Sequence, residues 1–291
     1  ATTATITGGN SLTTFAHDLV SPGALTSYDM SGYTGKSSAI TVAADQLVDT
    51  LVVKGGTSAL DVLTANYNTD AGSFTSQVTG VESLKYIADS GNTGGETYSF
   101  NLSKTDATTV AVGSSTTGNT TVNLTKVADG QKIELGAGAT DGFANSSILN
   151  VTMTSAVGAA DALTLSLVDT DDSEGTIDVN AAGVEALTLT AAATAETHKL
   201  DLAGVTATAT KTTAITVNGG KAAVDLTLTA IDSTVNAIDA SAFLGDLVMA
   251  GSSTTAKTIT SAAGADTLYM MNASDVLDAG TGTDKLILSK T

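Results

Sequence analysis

Three aspartates near the end of the sequence, Asp266, Asp275 and Asp284, stand nine residues apart. Each is followed two residues later by a leucine (Leu268, Leu277, Leu286) and preceded two residues earlier by a small residue (Gly264, Ala273, Gly282). The stretch Ser261–Ile287 therefore divides into three nine-residue units, each with one acid and one leucine at fixed positions. In each unit x-Leu-x suits a short strand whose leucine points inward. The residues before it must turn the chain, and small side chains there let backbone carbonyls approach an ion. Two units make one coil, which stacks Asp266 on Asp284 along one edge and puts Asp275 on the opposite edge. Carboxylates one coil apart, about 4.8 Å, repel by about 1 kcal/mol in water and several-fold more near a low-dielectric surface. A hard cation between them reverses the sign, and Ca²⁺ takes oxygen ligands in a flexible shell. The expected calcium ligands are Asp266 and Asp284 with backbone carbonyls from the turns around Gly264 and Gly282; Asp275 lacks a stacked partner within the motif. The competing reading is an edge of solvated aspartates without metal.

Other residues offer less. The densest acidic run, Asp169-Thr-Asp171-Asp-Ser-Glu174-Gly175, sets oxygen ligands at Asp169 and Asp171 ahead of a glycine, the ingredients of a calcium loop. It is not an EF-hand, because Glu174 occupies the position that needs glycine and no acid stands at the twelfth; a solvated turn competes with it. Asp61 and Asp161, each near small residues and followed by x-Leu, resemble isolated turns of the terminal kind. His17 has no second histidine or carboxylate cluster at metal spacing and is expected to be a surface or packing residue. His198, in the run His198-Lys-Leu200-Asp-Leu202, is expected on an exposed strand face. No cysteine nucleophile, Gly-x-Ser-x-Gly, His-Glu-x-x-His or phosphate loop occurs, and the expectation is a protein that is not an enzyme.

The elements that must position these residues are strands. Between residues 120 and 290 short runs recur, such as Thr121-Val-Asn-Leu124, Leu149-Asn-Val-Thr-Met153 and Asp225-Leu-Thr-Leu-Thr229. Each alternates an aliphatic with Thr, Ser, Asn or Asp, the period of a half-buried strand. Ser11–Ser21 is the least strand-like stretch and reads as a short helix or loop, and register is illegible over 60–120. Echoes link distant parts of the chain: Tyr28-Asp-Met-Ser-Gly-Tyr-Thr-Gly35 with Ile238-Asp-Ala-Ser-Ala-Phe-Leu-Gly245, and Gly80-Val-Glu-Ser-Leu84 with Gly183-Val-Glu-Ala-Leu187. Such repeats imply stacked units sharing one core. The expectation is an all-β, parallel β-solenoid or β-roll with irregular Thr-, Ser- and Gly-rich loops. Residues 1–291 form one β-rich unit, divisible into halves 1–145 and 146–291, with the nonapeptides at 261–287.

Composition narrows the function. The 291 residues carry a formal net charge of −18, no cysteine, no tryptophan and 4% aromatics. A chain without a basic footprint is not a nucleic-acid binder, and no run reaches the length of a membrane-spanning helix. Weak calcium sites fill only at millimolar calcium, which points outside the cell. The opening Ala1–Thr7 enters directly in strand-like alternation, so the chain reads as a segment of a larger or processed protein.

The three nonapeptides resemble the RTX repeat G-G-x-G-x-D-x-U-x, a calcium-binding parallel β-roll. Together with the echoes at 183–190 and 238–245, the chain is similar to bacterial surface-layer and related RTX exoproteins. That resemblance implies export by type I secretion to the bacterial cell surface and Ca²⁺ as cofactor. It also implies self-assembly into a lattice, filament or sheath, with cell-surface polysaccharide as a further partner. The alternative is an adhesin or a noncatalytic calcium-binding module of a larger secreted protein.

Overall fold

Short alternating segments have one apolar face each and cannot bury it alone, so they fold only by stacking. In the computed structural model the described residues contain strands and no helix. The structure describes residues 2–288 apart from 10–13, 20–24, 44–46, 68–72, 76, 89–94, 115–119, 137–142, 144–145, 156–159, 169–174, 193–196, 209–210, 223, 250–254 and 271. Two long sheets, of twelve and ten strands, run the length of a stack, with a four-stranded sheet at its beginning and a two-stranded one near its end. The chain alternates between the long sheets: Ala186–Ala191 and Thr213–Gly219 lie in the twelve-stranded sheet, Thr197–Thr206 and Asp225–Ile231 in the ten-stranded one. Strands one coil apart pair in parallel. This is a parallel β-solenoid, the fold class that the alternation and the nonapeptides imply.

Parallel pairing in register lines up identical positions of successive coils, so apolar residues form continuous inner rows. In the twelve-stranded sheet one row runs Leu163, Leu187, Ile215, Ile238, Ile259, Leu277. In the ten-stranded sheet another runs Ile177, Leu200, Leu228, Met249, Leu268, Leu286. Apart from Leu277, which packs against it partly buried, and Leu286, both rows belong to one core, and each fully buried aliphatic contributes about 1.5–3 kcal/mol of transfer free energy. Both sheets pass the middle of the chain, where Thr121–Val127 pairs with Ile148–Met153 and Lys132–Leu135 with Ala162–Leu167.

Residues 60–120 hold an aromatic part of the core. Here the four-stranded sheet ends at Gln77–Thr79 and the ten-stranded sheet begins at Ser73–Thr75. Small aliphatics do not fill this junction; Tyr67, Phe74, Tyr86, Tyr98 and Phe100 do, with Tyr86 and Phe100 stacked at 3.8 Å between centroids.

Three expectations need correction. The described part of Ser11–Ser21 includes a strand, Phe15–Leu19, which pairs with Ser38–Val42. His198 is fully buried: it shares the parity of Leu200 and Leu202, so the alternation that turns those leucines inward turns it inward too. Of the three motif leucines Leu268 is buried and Leu277 partly so, but Leu286 is 56% exposed. Leu286 stays in register with Leu268, yet its strand is the edge of the ten-stranded sheet, and among the described residues no further strand lies over it.

Candidate functional site

The nine-residue period is realised as expected in its geometry. Two units make one coil: Ile259 pairs with Leu277 in one long sheet and Leu268 with Leu286 in the other. Asp266 and Asp284 therefore stand on the same edge, next to Gly264 and Gly282, which pair with each other. Asp275 lies on the opposite edge, ahead of Val276–Asp278 in the twelve-stranded sheet.

The glycines are required by close approach. A Cβ built on Gly282 would lie 1.7 Å from the Gly264 carbonyl oxygen, and one on Gly264 would lie 2.5 Å from the Gly245 oxygen. Gly245 repeats the contact against the Val224 oxygen at 1.8 Å. A column of carbonyl oxygens thus runs up this edge, each against a glycine of the next coil.

All three aspartates perform one structural task, which sequence reasoning missed. The N–H of Leu247 donates to Asp266 Oδ1 (2.7 Å), that of Lys257 to Asp275 Oδ1 (2.8 Å) and that of Asp266 to Asp284 Oδ1 (3.1 Å). Each carboxylate caps a backbone donor one coil earlier, at a corner where the ladder does not supply a partner. Asp266 is completely buried, and its Oδ2 also accepts the Ser261 hydroxyl at 2.6 Å. Asp275 Oδ2 accepts the N–H of Asn272 at 2.9 Å. Asp284 is exposed.

The same device recurs where no nonapeptide is visible. Asp61 is buried, and accepts the N–H of Ser38 (2.7 Å) and of Gly56 (2.9 Å). Its own N–H donates to Glu82 Oε2 at 2.9 Å, while its carbonyl accepts the N–H groups of Glu82 and Ser83. Asp161 and Glu185 reproduce this reciprocal pair, with Asp161 N–H on Glu185 Oε2 at 2.9 Å and the Asp161 carbonyl accepting from Glu185 and Ala186. This is the physical content of the Gly-Val-Glu-x-Leu echo. The signal available in the sequence was an acid two residues before a buried leucine, as at Asp61, Glu82, Asp161 and Glu185.

As calcium ligands the motif residues fit in part. Both carboxylate oxygens of Asp266 are engaged within the fold, so the groups that face out on this edge are Asp284 and the backbone around Gly264 and Gly282. Asp169 and Asp171 lie outside the described residues. Among the described residues no group of three or more histidines or acids converges on one point. His17 packs as expected of a surface residue, its Nδ1 2.5 Å from the buried Tyr28 hydroxyl.

An open notch of about 230 Å³ lies at the corner lined by Thr105, Asp106, Thr108, Lys126, Asp129 and Gln131. Its polar groups already serve the backbone. Asp106 accepts the N–H of Gly80, Asp129 that of Ala162, and Gln131 bridges Ala128 and Ala107. Among the described residues no helix is long and apolar enough to cross a membrane.

Fold and site together define a structural class, a parallel β-solenoid whose coil corners are capped by carboxylates. Comparison with protein families, with curated proteins and with solved structures finds no match for this chain.

Proposed function

We propose that this chain is a structural rather than catalytic component of a secreted, self-assembling array at the bacterial cell surface, and that calcium promotes the assembly. The observation that carries the reading is the parallel stack itself, in which the nine-residue period sets Asp266 and Asp284 on one edge with Asp284 facing out. Val276, Leu286 and Leu288 are 60%, 56% and 69% exposed, and Leu286 continues the inner row of the core. In a parallel stack a row of this kind is a surface on which a further coil packs, whether of the same chain or of another copy. The charge of −18 opposes the approach of copies, and a divalent cation relieves part of that repulsion. Calcium would be held on the outward edge by Asp284 with carbonyls of the Gly264 and Gly282 turns, while Asp266 fixes the turn from inside. The nonapeptide period, the all-parallel stack and the Thr-, Ala- and Gly-rich composition support this reading.

Sedimentation at fixed protein concentration, with millimolar calcium and then with chelator, tests it. Larger species in calcium that dissolve in chelator are expected; a monomer under both conditions overturns assembly and favours the adhesin or calcium-module alternative. The metal edge has its own test, because Asp284→Asn keeps an oxygen for the Asp266 N–H and removes the charge. Isothermal titration should show weaker calcium uptake in the variant than in the parent. Equal uptake would mean that the edge caps backbone and binds no ion.

A further inference from the structure

The outer face of the twelve-stranded sheet differs from the rest of this acidic surface. Parity turns Ala162 and Thr164 outward on one strand, Ala186, Thr188 and Thr190 on the next, and Ala214 and Thr216 on the one after. Ala186, Ala214 and Thr216 are exposed. Register sets one outer row as Lys132, Thr164, Thr188, Thr216, Asp239. From Ser83–Ala88 to Val276–Asp278 the outward charges on this face are Lys85, Lys132, Glu134, Asp239 and Asp278. Two lysines against three acids leave it at −1, in a chain of −18. Another copy of the chain therefore meets little repulsion here.

The order of these charges matters more than their sum. Lys132 lies two strands before Ala186–Ala191 and Asp239 two strands after it, in the same row; Lys85 lies four strands before and Asp278 four after. A two-fold axis along the Ala186–Ala191 strand, through Thr188, sets Lys132 of each copy against the partner's Asp239. It also brings Lys85 within one row, about 7 Å, of the partner's Asp278. Turning the second copy about the long axis of the stack instead would set Lys132 on Lys132 and Asp239 on Asp239, which like charge opposes. Lys132 already meets Glu134 on its own strand at 2.7 Å, and its ammonium has further donors for a carboxylate.

We propose that this face joins two copies of the chain in an antiparallel, two-fold pair, a self-complementary contact of the kind symmetric dimers use. Small side chains at its centre let the two sheets close to about 10 Å. Nine strands overlap, from Ser83–Ala88 to Val276–Asp278. At about 4.8 Å per strand and about 17 Å along each, the overlap is on the order of 700 Å² per copy, close to the roughly 800 Å² of a standard interface. This goes beyond calcium-promoted assembly, because the contact lies on the side of the stack and needs no metal.

Exchanging charges between copies tests it. Sedimentation in chelator at physiological salt, where charges on the far sides are screened, should show the parent as a dimer. Lys132→Asp sets carboxylate against carboxylate and Asp239→Lys ammonium against ammonium, so each variant alone should pair about tenfold more weakly or worse. An equal mixture of the two restores both ion pairs and should return to dimer. A second readout uses the absence of cysteine from the chain. Under mild oxidation Thr188→Cys, on the axis, should close a disulfide between copies. Thr41→Cys, on the same face but outside the overlap, should not. Circular dichroism matching the parent shows that the charge variants fold, and the cysteine readout decides the case where one does not. Single variants that pair as the parent does, a mixture that stays monomeric, no disulfide at Thr188→Cys, or equal cross-linking at the two positions overturns the proposal. A parent that is monomeric in chelator yet assembles in calcium overturns this face alone and leaves the calcium reading standing; a monomer under both conditions ends both.

Discussion

Asp29 and Asp239 show how much one side chain can shape a coil. Each bends its strand by accepting the N–H of the residue two further on, Ser31 or Ser241, at 3.0 Å. This is the local turn chemistry that short acidic side chains favour, and it explains why the segments 28–35 and 238–245 echo each other. Hydrogen bonds from the Ser31 hydroxyl and N–H, with Lys54 at 3.0 Å, hold the Asp29 pKa down at about 2, against an ordinary 3.8. A depressed folded value means that this contribution to stability is present above pH 3.8 and is lost as the pH falls towards 2. Carboxylate titration by NMR should find Asp29 still ionised at pH 3, and Ser31→Ala should raise its midpoint. An unchanged midpoint would remove the hydroxyl from the account. Asp61 is the more severe case, because it is buried and caps two backbone donors. Asp61→Ala leaves both unsatisfied and should cost on the order of 3 kcal/mol, read from chemical denaturation.

At the scale of strands, the outer face of the ten-stranded sheet carries its own ladder. Asn123 donates to Ser99 Oγ (2.9 Å), Asn150 to Asn123 Oδ1 (2.7 Å) and Asn180 to Asn150 Oδ1 (2.9 Å). Register puts Gly204 next, and a Cβ there would sit 1.9 Å from the Asn180 amide oxygen, so the ladder ends on a glycine by steric need. Asn150→Ala breaks two rungs and should lower stability by about 1 kcal/mol. Beside it, Asp178 and Asp201 face each other in register. Burial raises the Asp178 pKa and the Asp201 charge adds to the shift. A raised carboxyl costs stability at neutral pH, and the cost disappears as the pH falls and the group protonates. Asp178→Asn should therefore stabilise the protein at pH 7, by about 0.2–1 kcal/mol for a like-charge cross-strand pair, with the gain vanishing in acid. A gain independent of pH would point to packing instead.

For the whole molecule, a stack of coils has nearest-neighbour energetics, so stability follows how well each coil is covered. Val179, Leu187, Leu200 and Ile215 lie within the stack and are buried, whereas Val276, Leu286 and Leu288 at its end are exposed. Hydrogen exchange should be slow across 163–243 and faster across 276–288. If assembly covers the end row as proposed, calcium should slow the second segment and leave the first unchanged. Slowing that is uniform along the chain would point to general charge screening.

The sequence by itself determined the solenoid and the nine-residue geometry, because a parallel stack turns a linear period into a spatial one. Asp266 above Asp284, Asp275 on the far edge and Leu268 facing the core all follow from counting residues per coil. The β-strand period of two was also enough to bury His198, had its parity with Leu200 and Leu202 been followed. Only the tertiary structure decided what the acids do. Whether a carboxylate faces water or caps an amide depends on which backbone donor the neighbouring coil leaves unpaired. Coil lengths away from the nonapeptides vary: Leu163 pairs with Leu187, but Leu187 pairs with Ile215. No fixed period therefore reveals that Glu82 meets Asp61, that Glu185 meets Asp161, or that the ammonium of Lys257 reaches the carbonyls of Asp232 and Val235. The exposure of Leu286 has the same origin, since burial is a property of the coil stacked on a residue and not of the residue's own pattern.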